Sequence, residues 1–192
     1  MTPSPASTVV LVRNAGDDIE TLLLLRNSKL IFEGGTWVFP GGKIEAFDYP
    51  GGRSLVDHHG QLRAARRAAV RETEEEAGVS LQAEELIHIA HWTTPEGPPR
   101  RYATWFFVCP LREAVSITVD QDEILDHCWL TPRQALRDCR EGRIRLPLPT
   151  RETLASISGF RDVDELCTAM REAEILVFPE DSCHYQPEPA RG

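Results

Sequence analysis

An α/β fold is the class with which this sequence is compatible, and three observations point to it. Short β-branched, leucine-rich or aromatic runs recur at residues 8–12, 21–26 and 104–109. An alanine-rich stretch over 62–77 has the composition of one long helix, and Gly78 is placed as the left-handed residue just past its last turn. Further strand-like and helix-like segments follow one another along 192 residues, a length that suits one domain with a sizeable core.

Taken in order, residues 1–7 are expected to be a frayed tail, followed by the strand at 8–12. Residues 14–18 supply turn formers. The strand at 21–26 has unbroken leucines, which predict burial on both faces. The short connection predicts antiparallel pairing of these two strands. Arg26 ends the run, either as a solvated strand end or as a bidentate phosphate ligand. Residues 37–39 form a short strand leading into Pro40, Gly41 and Gly42. Residues 49–63, with Pro50, Gly51, Gly52 and His58-His59, read as an exposed loop, a stretch long enough to serve as a lid. The long helix covers about 62–77, with Ala65, Ala68 and Ala69 on its packing face.

Residues 85–92 and 104–109 read as strands around a proline-rich loop that carries Arg100 and Arg101. These arginines are candidates for meeting phosphates. Residues 123–130 are another strand. Thr131 then caps a helix that opens with Pro132. Thr150 is expected to cap a helix over 151–158, and a further helix spans 162–171. Residues 179–192 are polar and proline-rich, and a flexible tail is expected there. The domain expectation is therefore a single unit over 8–178 between two tails.

Composition excludes several classes. The net charge of −9 carries no basic block, which argues against a nucleic-acid binder. No apolar run is long enough for a bilayer, so no membrane partner is expected. The five cysteines are odd in number and contain no CxxC pair, and no signal-peptide pattern opens the chain. Both features predict reduced thiols and a cytoplasmic location.

The chemistry lies at the end of the long helix. Glu72 and Glu76 are four apart on one face, and Glu75 is three from Glu72. Like charges at these spacings repel, and acids at a helix C-terminus oppose the macrodipole, each effect costing from a few tenths to about 1 kcal/mol. A cation between the carboxylates would remove both costs, and hard oxygen donors suit Mg²⁺ or Mn²⁺. The alternative is a solvated acidic face.

Gly42 through Asp48, followed by Arg71-Glu72-x-x-Glu75-Glu76-x-Gly78-Val79, resembles the Nudix box, G-x5-E-x7-R-E-U-x-E-E-x-G-U with U apolar. The match has three departures: Asp48 replaces the usual Glu, Thr73 stands at an apolar position, and 22 residues separate Asp48 from Arg71 where the pattern has 7. The resemblance implies an α/β/α sandwich with a mixed β-sheet. It also implies metal-dependent hydrolysis of a nucleoside diphosphate linked to another moiety.

In that reading Glu72 and Glu76 are the principal metal ligands, and Glu75 is a further ligand or base. The Gly41 carbonyl touches the metal, and Glu123, ahead of Asp126, is the candidate base. Arg71 orients the loop or the ligand carboxylates. The segments 92–107 and 146–150 are similar to the Nudix branch containing the peroxisomal coenzyme A diphosphatase. That similarity implies coenzyme A or its thioesters as substrate, with ADP-ribose or a nucleotide sugar as the alternative. A non-catalytic nucleotide sensor is the reading from another class. The expected partner is a small nucleoside diphosphate derivative, and a homodimer is compatible with the sequence.

Overall fold

The structure is a computed structural model that describes residues 2–30, 33–51 and 57–185. Its described strands form a single mixed sheet. β1 (Ser4–Ala15) is central. Along one edge it runs parallel to β6 (Tyr102–Pro110) from Ser4 to Val12. Along the other edge it changes partner. Val12 to Ala15 pair antiparallel with β2 (Asp18–Arg26), as the short connection predicts. Ala6 to Thr8 pair instead with β4 (Gly41–Lys43). β1 and β2 therefore diverge, and the chain fills the gap. β3 (Trp37–Val38) takes the freed edge of β2. The chain then crosses through Phe39 and Pro40 to lay β4 on β1. This split in the sheet positions the glycine turn at its heart.

The remaining strands extend the two sides. β5 (Ile87–Thr93) pairs antiparallel with β6. β7 (Ile124–Leu130) pairs antiparallel with β2. β8 (Leu176–Phe178) adds a parallel edge to β5.

Side chains alternate across the sheet, which is why the apolar runs are unbroken. Val9, Leu11, Leu22, Leu24 and Phe107 face one helix, α1 (His58–Ala77), through Ala64, Ala65, Ala68 and Ala69. Those small side chains let the helix lie close to the strands. Val10, Val12, Leu23 and Val108 face the opposite layer. That layer is built from α2 (Pro132–Arg140), α3 (Leu148–Ile157) and α4 (Val163–Glu172), which contribute Ala135, Leu154, Ile157 and Leu166. The result is the expected α/β/α sandwich with a mixed sheet.

Several boundaries depart from expectation. The N-terminal tail is shorter than 1–7, because Ser4 to Ser7 are held by ladders to β6 and β4 despite lacking strand-forming side chains. α1 begins at His58 rather than near residue 62, because the Asp57 carboxylate accepts the Gly60 N–H at 2.8 Å and caps the helix there. The loop expected over 49–63 is thus helical at its end, while residues 52–56 lie outside the described residues. Gly78 does end the helix, at φ 69°, with its N–H donating to Glu74 O at 2.9 Å. α3 starts at Leu148, so Thr150 sits inside its first turn and is buried. Thr131 caps α2 as expected, accepting from Gln134 N at 3.2 Å. Residues 179–185 are not a free tail, since Glu180 is ion-paired to Arg101 and Tyr185 packs against Trp92. All five cysteines are free thiols. Among the described residues no helix is long and apolar enough to cross a membrane.

Candidate active site

The split in the sheet opens into a cleft of about 650 Å³, lined at one end by Gly41, Gly42, Lys43, Glu72, Arg26 and Glu123. Two glycines in succession keep that turn clear of side chains. A Cβ on Gly41 would overlap the Ser7 carbonyl oxygen of the neighbouring strand. A Cβ on Gly42 would overlap the Glu72 carboxylate. The turn thus lets the helix carboxylates come directly onto backbone.

Glu76 is 4% exposed and accepts the Gly41 N–H through Oε2 at 2.9 Å. Burial pushes its carboxyl up to about 8, the Gly41 N–H opposes that rise, and the neighbouring charge of Glu72 adds to it. Glu72 is also raised, chiefly by burial; Arg71 pulls it back, and Glu75 and Glu123 push it higher. Of the three acids expected to crowd one another, Glu75 raises Glu72 and Glu72 raises Glu76, while Glu123, from just before β7, acts on both in the same sense.

Arg71 is the hub. Its Nη2 donates to Asp48 Oδ2 at 3.0 Å and to Lys43 O at 3.0 Å. Its Nη1 donates to Glu72 Oε1 at 2.7 Å and to Glu75 Oε2 at 3.3 Å. Burial acts to lower its pKa, but the hydrogen bonds to Asp48 and Glu72 outweigh that and keep it firmly charged. The Asp48 side chain is only 4% exposed, and its Oδ2 also accepts the Glu45 N–H at 2.8 Å. Adjacent positions on a helix suggest divergent faces for Arg71 and Glu72, yet the arginine is long enough to curl back.

The other expected site residues divide. Arg26 lines the cleft and pairs with Glu123 at 2.7 Å, and its buried Nε has no hydrogen-bond partner among the described residues. Arg100 lines the cleft and is exposed. Arg101 is instead buried away from it: Nε donates to Thr94 O at 3.1 Å, and the guanidinium pairs with Glu96 and Glu180. The structure corrects the phosphate-binding expectation for that residue. Glu75 is 60% exposed and turned to Arg71 rather than into the cleft. Asp126 is exposed on β7 and does not line the cleft. Lys43, Glu33 and Tyr185 line the cleft without having been picked out from sequence. Of these, only Lys43 had a visible signal, its position beside the glycine pair.

Among the described residues no three His, Cys, Asp or Glu side chains form a ready-made cation cage. The donor chemistry nevertheless fits a hard divalent ion. Glu72 and Glu76 present carboxylate oxygens whose raised pKa values reflect burial and mutual repulsion that a cation would offset. One consequence can be tested at Gly42. Replacing it with alanine displaces the flexible Glu72 carboxylate rather than backbone. Gly42→Ala is therefore expected to melt within about 2 °C of the parent, while Mg²⁺ affinity falls about 10–100-fold. A titration of metal affinity alongside a thermal melt checks both.

Comparison with known proteins shows the family. Residues 3–150 match the NUDIX domain, and the chain belongs to that family. It is 24% identical over 241 residues to a Xenopus laevis protein named acyl-coenzyme A diphosphatase NUDT19, covering 80% of this chain. It is 25% identical over 194 residues to the Caenorhabditis elegans putative nudix hydrolase 7, covering 83% of this chain. The chain spans 63% and 62% of the lengths of those relatives. In three dimensions it is similar to a NUDIX hydrolase from Alicyclobacillus acidocaldarius, with a TM-score of 0.75, 22% identity, and coverage of 91% of this chain and 98% of the other.

Proposed function

We propose that the cleft hydrolyses the diphosphate bond of a nucleoside diphosphate derivative, with coenzyme A or its thioesters as the substrate class. The observation that carries the reading is the convergence of the Glu72 and Glu76 carboxylates on the Gly41 and Gly42 backbone, with Glu72 and both glycines lining one end of an open cleft and Glu76 buried against Gly41. The similarity to a coenzyme A diphosphatase supports the choice of substrate.

Glu72 and Glu76 would hold Mg²⁺ or Mn²⁺ beside Gly41. Such an ion supplies charge neutralisation at the phosphoryl oxygens and a lowered pKa for bound water. The chain's own groups do the rest. Arg26 and Lys43 line the same end of the cleft and would meet phosphate oxygens as two cations. Glu123 lines the cleft, paired with Arg26, and would take a proton from water. Arg71 fixes Glu72. Glu75 contributes through Arg71.

A nucleotide sensor that binds without cleaving is the reading from another class. One assay separates the two. The protein is incubated with Mg²⁺ or Mn²⁺ and a panel of coenzyme A, acyl-coenzyme A, ADP-ribose and nucleotide sugars, with products weighed by mass spectrometry. Metal-dependent addition of one water to the diphosphate, leaving each half with one of its two phosphates as a monoester and fastest for the coenzyme A group, is expected. Binding without products would favour the sensor, and faster cleavage of ADP-ribose would move the substrate class.

A further inference from the structure

The far end of the cleft is built partly by residues outside the stretch that matches the family. β8 pairs with β5, placing Phe178 opposite Trp92. The Phe178 ring lies flat on that indole, with centroids 3.7 Å apart and planes 10° apart. Tyr185 meets the same indole edge-on at 6.0 Å and 82°. Between them, Glu180 is ion-paired to the buried Arg101. Three separate contacts therefore strap residues 176–185 onto the sheet, and Tyr185 forms part of the cleft wall. The family match ends at residue 150.

The wall that Tyr185 joins differs in chemistry from the acidic end. It carries Phe106, Pro98 and Leu148 with the hydroxyls of Thr94 and Thr104, and its charged member is the exposed Arg100. Apolar surface dotted with hydroxyls suits a chain that is mostly hydrocarbon with a few amide or hydroxyl groups. A diphosphate held by Arg26 and Lys43 would extend one of its substituents along this wall.

We infer that the 176–185 strap is part of the substrate site, and that Tyr185 is a specificity-determining residue for an uncharged, flexible arm attached to the diphosphate. This rests on the diphosphate reading above and assigns the arm, not the nucleoside, to the strap.

The test uses two probes, dephospho-coenzyme A and ADP, which carry the same nucleoside diphosphate with the arm and with a free terminal phosphate in its place, bound to the full chain by calorimetry without divalent metal. The parent binds dephospho-coenzyme A more tightly than ADP. Tyr185→Ala weakens dephospho-coenzyme A by about tenfold, the scale of one lost aromatic contact, and leaves ADP unchanged. Tyr185→Phe keeps the ring and retains the preference. Tyr185→Trp enlarges the ring and also weakens dephospho-coenzyme A selectively, so a folding defect in the alanine variant does not remove the test. Equal loss of both probes, no loss of either, or a parent that does not prefer the longer probe would overturn the inference. Turnover with Mg²⁺ is scored separately. Selective binding without cleavage would defeat the hydrolase reading while upholding the arm assignment.

Discussion

Glu76→Gln is expected to lower metal-dependent diphosphate cleavage by about 10³-fold while leaving the fold intact. The two halves of this result have different causes. Without metal, burial pushes the Glu76 carboxyl up to about 8, toward the neutral form. Glutamine has the same shape and is also neutral, and its carbonyl oxygen can still accept the Gly41 N–H that now goes to Oε2. The melting temperature should therefore stay close to the parent value. A divalent ion, however, needs the ionised carboxylate, and an amide is a much weaker ligand for it. Turnover measured beside a thermal melt separates loss of the ligand from loss of the fold. Unchanged turnover would discard Glu76 as a ligand.

Arg71→Ala is expected to have the largest effect on stability, about 2–3 kcal/mol. The guanidinium ties α1 to the turn before the insertion through Asp48 and Lys43 O. Removing it leaves the Asp48 carboxylate, 4% exposed, without its cation. The estimate stays below that for a fully buried pair because the arginine side chain is 22% exposed, and solvent screens part of the interaction. Chemical denaturation should show a lower midpoint with an unchanged slope. The double variant Asp48→Ala/Arg71→Ala should recover at least about 1 kcal/mol relative to the sum of the single losses. It should not recover turnover, because Glu72 also loses the donor that holds it. Strict additivity would mean that the pair does not couple the two segments.

What could be read from sequence, and what could not, follows from where the information lies. The end of α1 was legible because it is local: good helix formers, three acids at helical spacing and a glycine that accepts the left-handed turn. The strands at β2 and β6 were legible from continuous apolar side chains. Ser4 to Ser7 were not, because their strand state comes from partners about a hundred residues away on β6. The same holds for β4 and β8, which are three residues each and gain their conformation from the edges of β1 and β5. At the site, the pairing of Asp48 with Arg71 spans the insertion and required the fold to bring both together. Arg100 and Arg101 are indistinguishable by composition. Only the position of Thr94 and Glu180 shows that Arg101 is structural while Arg100 faces the cleft.

The central claim is that the carboxylates of Glu72 and Glu76 hold a divalent ion at the Gly41 turn. Crystals of the parent chain soaked in Mn²⁺ and recorded at the manganese absorption edge test it most directly. An anomalous peak between those two carboxylates, absent from Glu76→Gln crystals treated identically, is the predicted result. A clear peak only at some other place on the chain, or an equal peak in the variant, would contradict it.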